Sequence, residues 1–249
     1  MPLPAPRRRR GVEYLDAPDV DPAIVTRSLS DVALANRLFG GTRAVLAELG
    51  PVFAALRAAG RREATLLDVG TGMGDIPARA RDVARASGVA LTTVGLDAAS
   101  ELAVASRCRT THSVCGDALA LPFRDRAVDV VTCSQVLHHF VEHDARALIA
   151  ELDRVARMRV VVSDLRRSLP AAAGIWIASF PLGFHPVSRH DGVVSVMRGF
   201  TERELRAWVR ETVGGEPSVR YRAIARVTAS WAPRRTPPGG ANDSGADGE

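Results

Sequence analysis

The sequence contains no lysine; all 33 of its basic residues are arginine. Cysteine is scarce, at three: Cys108, Cys115 and Cys133. An odd count without C-x-x-C spacing argues against a disulfide framework or a zinc site, and it fits a reducing, cytoplasmic setting. No apolar run approaches the roughly 18 residues of a membrane span. The most apolar helix candidate, Ala171 to Phe180, is too short and stops at Pro181. The first ten residues are rich in proline and arginine and lack the apolar centre of a secretory signal. The net charge is +5 and the isoelectric point about 10.0, which raises nucleic acid as a partner. Yet the only basic run is Arg7-Arg8-Arg9-Arg10, with no aromatic residue interleaved. Neither nucleic acid nor a membrane is therefore expected as a partner. The 249 residues, 46% of them hydrophobic, suffice for one domain with a sizeable core plus extensions.

What is present centres on Thr65-Leu66-Leu67-Asp68-Val69-Gly70-Thr71-Gly72-Met73-Gly74-Asp75. An apolar run ends in an acid, and a glycine-rich turn leads into a helical pattern. Open α/β sheets present nucleoside-type ligands in this way, at the carboxyl end of the first strand. The loop reads G-x-G-x-G, not the G-x-G-x-x-G of dinucleotide binding. A second strand, Thr92 to Asp97, also ends in an acid and leads to Ala98. Gly116-Asp117-Ala118-Leu119-Ala120-Leu121-Pro122-Phe123 places an acid at a third strand end. Ala127 to Ser134 is a buried-type strand, followed by Gln135-Val136-Leu137-His138-His139-Phe140. Arg159 to Asp164 is a fifth.

In order and in sequence these five segments resemble the class I S-adenosylmethionine-dependent methyltransferases, over roughly residues 65–165. The flanks resemble small-molecule methyltransferases of quinone and aromatic natural-product pathways. The resemblance implies an α/β, Rossmann-like fold: a seven-stranded, mostly parallel sheet with an antiparallel last strand. Helices cover both faces, and an amino-terminal helical cover partly roofs the cofactor. A methyltransferase domain is expected over 12–232, between disordered tails at 1–11 and 233–249. Within it, 12–62 form the helical cover and 63–165 the cofactor-binding core. Residues 166–199 cover the acceptor site, and 200–232 supply the last helix and strands. Asp31 and Thr42 are plausible caps for the first two helices. Residues 181–199 read as irregular. Thr201-Glu202-Arg203-Glu204 is a capping box.

The resemblance also implies site residues. Asp68, Gly70, Thr71, Gly72 and Gly74 would meet the methionine moiety, and Asp97 with Ala98 the ribose. Asp117 and Ala118 would meet the adenine, with Ser134 at the end of the fourth strand. Arg37 or Arg43 could pair with the cofactor carboxylate. NAD(P) is the rival occupant, but the Asp117 and His138 segments have no counterpart in the dinucleotide fingerprint. A phenol or alcohol acceptor must lose a proton, and histidine suits that task near neutral pH. His138 is the first choice of base with Asp164 as its partner, and His139 lies beside it. A second set, His185, His190 and Asp191, falls on the covering segment. The histidine spacing matches no usual metal cluster, so no metal is expected. The reading is a cytoplasmic enzyme, monomer or homodimer, that methylates oxygen of a small aromatic or polyketide-like acceptor. The apolar cover, Ile175, Trp176, Ile177, Phe180, Leu182 and Phe184, favours such an acceptor. Three alternatives stay open: carbon methylation of a quinone-like ring, a non-catalytic cofactor-binding protein, and an RNA methyltransferase. No N-P-P-Y-type tetrad supports the last.

Overall fold

The computed structural model describes residues 5–9, 11–17 and 20–234. Seven strands form one sheet: β1 (Glu63–Val69), β2 (Ala90–Asp97), β3 (His112–Cys115), β4 (Val128–Ser134), β5 (Ala156–Leu165), β6 (Ser218–Arg222) and β7 (Arg226–Trp231). Their order is β3-β2-β1-β4-β5-β7-β6. Only β7 runs against the rest; it pairs antiparallel with both β5 and β6. This is the seven-stranded, mostly parallel, Rossmann-like sheet that the resemblance implies. The chain reverses direction across the sheet between β1 and β4, and that switch point opens a crevice at the strands' carboxyl ends.

Among the described residues, eight α-helices surround the sheet: α1 (Pro22–Leu38), α2 (Gly41–Ala58), α3 (Asp75–Ala86), α4 (Ser100–Ser106), α5 (Glu142–Val155), α6 (Leu169–Ser179), α7 (Pro186–Arg198) and α8 (Glu202–Val213). Alternate residues of a strand face opposite sides, so each buried strand feeds two cores. Leu67, Val69, Val131, Cys133, Val160 and Val162 join the apolar faces of α5 and α8. Leu66, Val130 and Val161 join α2 and α3, through Val45, Leu49, Phe53, Ala80 and Ala84. Leu148, Ile149, Leu152 and Val155 recur along α5 at helical spacing and are all fully buried. At the amino-terminal edge of the sheet, buried Asp129 accepts from Thr65 N–H at 2.9 Å and pairs with Arg61 at 3.0 Å and Arg157 at 2.8 Å. Those bonds tie β1 to β4 at the edge away from the crevice.

Several local expectations change. Asp21, not Asp31, caps α1, accepting from Ala23 N–H at 2.8 Å. Asp31 lies inside α1 and takes the His185 N–H at 2.8 Å. Thr42 lies inside α2, which begins after Gly40. Residues 181–199 are not irregular throughout: α7 fills most of them. His185 caps it with its own ring nitrogen, and Pro186 occupies the first turn. The weakly amphipathic composition of that helix hid it. The capping box at Thr201 forms as read. In the amino-terminal segment, residues 5–9 and 11 have no regular secondary structure, and two of them meet the fold. Arg9 N–H donates to Met197 O at 3.3 Å, and the Arg8 guanidinium lies 4.5 Å from the Phe200 ring centroid. The supposed tail at 233–249 lies outside the described residues, apart from 233–234. Among the described residues, no helix is long and apolar enough to cross a membrane.

Candidate active site

The glycine loop turns directly off β1. A Cβ on Gly70 would stand 2.2 Å from Val136 Cγ2, and its φ of +70° already disfavours a side chain. Gly70 N–H and Thr71 N–H both donate to Leu96 O, at 2.8 and 3.0 Å. The loop is thereby tied to the end of β2. Asp97, at that end, accepts from Gly72 N–H at 2.9 Å and from Ala99 N–H at 3.1 Å. Each of its oxygens keeps a further lone pair. Asp117 Oδ1 accepts from Leu119 N–H at 2.8 Å, and Ala118 stands beside it, half-buried. Ala98 is exposed on the same rim.

Asp68 is 1% exposed. Its Oδ1 takes the Thr132 hydroxyl at 2.6 Å, but its Oδ2 has no partner. Burial pushes this carboxyl up to about 6, against the opposing Thr132 hydrogen bond. The buried Ser134 hydroxyl is likewise unpartnered. Unsatisfied buried polar atoms at a glycine loop are what a polar ligand would complete. Arg37 and Arg43 line a separate cleft of about 590 Å³ beside the loop, together with Asp75, Arg79 and Arg109.

The residues after β4 meet the end of β5. His138 Nδ1 lies 2.7 Å from Asp164 Oδ1, and His138 N–H donates to Asp164 Oδ2 at 3.1 Å. Both side chains are buried, at 3% and 0% exposure. Burial pushes the Asp164 carboxyl up, but the His138 imidazole and the Leu165 N–H outweigh it and leave it below the ordinary value. An ionised carboxylate can only accept, so Nδ1 carries the proton, and in the neutral imidazole Nε2 offers the lone pair. His138 lines a cavity of about 740 Å³ between α1, α6, α7 and the strand ends. A histidine held in one tautomer at a cavity wall can take a proton from an acceptor hydroxyl.

His139 also lines this cavity, its ring centroid 4.2 Å from that of His138. His190 stands outside the lining; its Nδ1 meets Asp191 Oδ1 at 2.9 Å and its ring packs on Tyr14 at 4.7 Å. Asp191 spends its carboxylate on Tyr14 N–H and Leu15 N–H, at 2.9 and 3.1 Å. Of the expected apolar cover, Ile175 and Phe184 line the cavity. Trp176, Ile177 and Phe180 face outward, at 49%, 63% and 49% exposure.

Glu13, His138 and His139 bring potential metal-ligand atoms within 4.8 Å of one another. Glu13, however, already pairs with Arg198 at 3.0 Å and accepts from Ser195 at 2.8 Å. Sequence reasoning missed Glu13, Asn36, Thr132, Gln135, Arg166 and Arg226. Asn36 accepts from Gln135 Nε2 at 2.5 Å, which joins α1 to the segment after β4. The one available signal was position, since Gln135 directly follows a strand that ends in the crevice.

Residues 67–162 match the family described as a methyltransferase domain. Over those residues the chain carries a methyltransferase domain. Solved methyltransferases share its fold. One is the methyltransferase of Aquifex aeolicus, with 16% identity, 72% of this chain and 88% of that one covered, and a TM-score of 0.52. Another is magnesium protoporphyrin IX methyltransferase of Synechocystis with bound S-adenosylmethionine, at 14%, 88%, 100% and 0.51. A third is the complex of the Haloferax volcanii Trm112 methyltransferase activator with a methyltransferase, at 15%, 87%, 100% and 0.57. Identities this low concern the fold alone. No curated protein matches the sequence.

Proposed function

We propose that this methyltransferase acts on oxygen of a small, apolar, aromatic or polyketide-like acceptor, with His138 as the base. The observation that carries this reading is the buried His138–Asp164 pair on the wall of the 740 Å³ cavity. When bound, S-adenosylmethionine supplies a methyl group already activated on a sulfonium. The chain's own part is then alignment, exclusion of water and removal of one proton.

The crevice fits that cofactor. Unpartnered Asp68 Oδ2 and the Gly70–Gly74 loop would hold the methionine moiety. Asp97 would accept from the ribose hydroxyls, Asp117 and Ala118 would border the adenine, and Thr71, Ala98 and Ser134 would close the rim. His138 takes the acceptor proton at Nε2, while Asp164 fixes the ring and stabilises the imidazolium. His139 lines the same wall as an auxiliary group. His190, turned away from the cavity, serves the cover. The free thiols of Cys108, Cys115 and Cys133 support a cytoplasmic setting.

The test is turnover of labelled S-adenosylmethionine on a panel of phenols, hydroxyquinones and other aromatic acceptors. His138→Ala is expected to lower turnover by about 10²–10⁴-fold, the range of a well-placed base, with adenosylhomocysteine affinity unchanged. Asp164→Asn is expected to shift the acidic limb of the rate profile as well as lower its plateau. A His138→Ala protein with wild-type turnover sinks the base assignment. Product carrying the new methyl on ring carbon replaces oxygen with carbon as acceptor.

A further inference from the structure

The charged groups along the acceptor cavity have partners, and of its two arginines Arg226 is the buried one. Glu13 pairs with Arg198 at 3.0 Å, and Asp31 with Arg27 at 3.4 Å. Asp191 holds two backbone N–H groups, and Arg166 lies over the Tyr221 ring at 4.0 Å from its centroid. Arg226, at the start of β7, is 4% exposed and lines the same cavity. Its Nε has no hydrogen-bond partner. Its Nη2 reaches only Asn36 Oδ1, at 3.5 Å, and that oxygen already accepts from Gln135 at 2.5 Å. Among the described residues no carboxylate forms an ion pair with it. Asp164 attracts it from further off, but burial dominates and pushes the guanidinium down to about 10. A buried cation without a counter-ion is costly, and a planar fork of N–H donors matches a carboxylate.

We infer that Arg226 recognises an acidic group on the methyl acceptor, which makes that acceptor an apolar organic acid. The inference rests on reading the 740 Å³ cavity as the acceptor site. Leu29, Val32, Phe39 and Ile175 supply apolar wall to the same cavity. The cofactor's own carboxylate is the other anion to consider. Arg226 lies on β7, and the order β1-β4-β5-β7 separates it from the glycine loop by three strand spacings, about 14 Å. By contrast, Arg226 pairs in register with Leu165, next to Asp164. His138 lines the same cavity, so one acceptor can offer a hydroxyl to His138 and an acid to Arg226.

The probes are 1-hydroxy-2-naphthoate and 1-naphthol, titrated by calorimetry into the full chain saturated with adenosylhomocysteine. The acid is expected to bind about ten- to a hundred-fold more tightly, the worth of a charge-assisted hydrogen bond in a dry site. Arg226→Met should erase that factor while leaving naphthol and adenosylhomocysteine affinity unchanged, without lowering Tm. If Arg226→Met melts lower, Arg226→Lys decides, since it keeps the charge and should retain part of the preference. Equal binding of the two probes, binding of neither, or a preference that survives Arg226→Met overturns the inference. So does loss of adenosylhomocysteine affinity in the variant, which would assign the guanidinium to the cofactor. Failure of the wild type to bind adenosylhomocysteine is a different result: it removes the methyltransferase reading, and the same titration without it still reads Arg226.

Discussion

Asp68→Asn should stabilise the protein at neutral pH and do little in acid. The carboxyl is buried, one oxygen lacks a partner, and its pKa is raised from 3.8 to about 6. Its folded-state value therefore lies above its unfolded one. Below pH 4 both states hold the proton and the side chain costs nothing extra. As pH rises through the window from about 4 to about 6, the unfolded chain ionises first and stability is lost. Each unit is worth about 1.4 kcal/mol, so the loss approaches about 3 kcal/mol at neutral pH. Asparagine copies the protonated carboxyl and cannot ionise. Urea unfolding of wild type and Asp68→Asn at pH 4 and pH 7.5 measures the effect. The asparagine advantage should grow by about 2–3 kcal/mol between the two pH values. The same variant should bind S-adenosylmethionine more weakly, because a group kept at a cost to stability is kept for its ligand. An advantage that is equal at both pH values would refute the reasoning, since only ionisation of this carboxyl makes it pH-dependent.

Two further outcomes test the packing. Gly70→Ala places a methyl 2.2 Å from Val136 Cγ2 at a φ of +70°, so cofactor affinity should fall by at least tenfold; unchanged adenosylhomocysteine binding would show that the loop yields freely. Leu152→Ala removes a fully buried side chain from the α5 face of the core, and should lower stability by about 2–5 kcal/mol in urea unfolding while sparing cofactor affinity.

The sheet was legible because parallel strands are buried on both faces and read as short apolar runs. Each run that ended in an acid or a histidine also marked the crevice, as at Asp68, Asp97 and the residues after Ser134. The His138–Asp164 pairing could be anticipated because adjacent strands end side by side. Segments held by side-chain contacts were harder to read. Asp31 has the residue type of a cap, yet it serves His185 across the cavity. Helix α7 lacks a clear apolar stripe, so its sequence reads as irregular. Glu13 falls in a stretch without periodicity, and Arg226 is one of 33 basic residues that all look alike in sequence. Their roles follow from burial and partner, which no local pattern encodes.

The two halves of the site are built from different kinds of bond, and that difference bears on how such a protein can change over generations. The cofactor rim sits on contiguous turns locked by backbone hydrogen bonds, as where Gly70 and Thr71 share Leu96 O. A substitution there disturbs the sheet itself. The wall of the proposed acceptor cavity is assembled from α1, α6, α7 and the segment around Glu13, held by side-chain bonds such as Asp191 to Tyr14 N–H and Arg198 to Glu13. Those pieces can be exchanged or lengthened without touching a strand. On the proposed reading, changes to the wall would alter which acceptor fits and leave the hold on the donor intact.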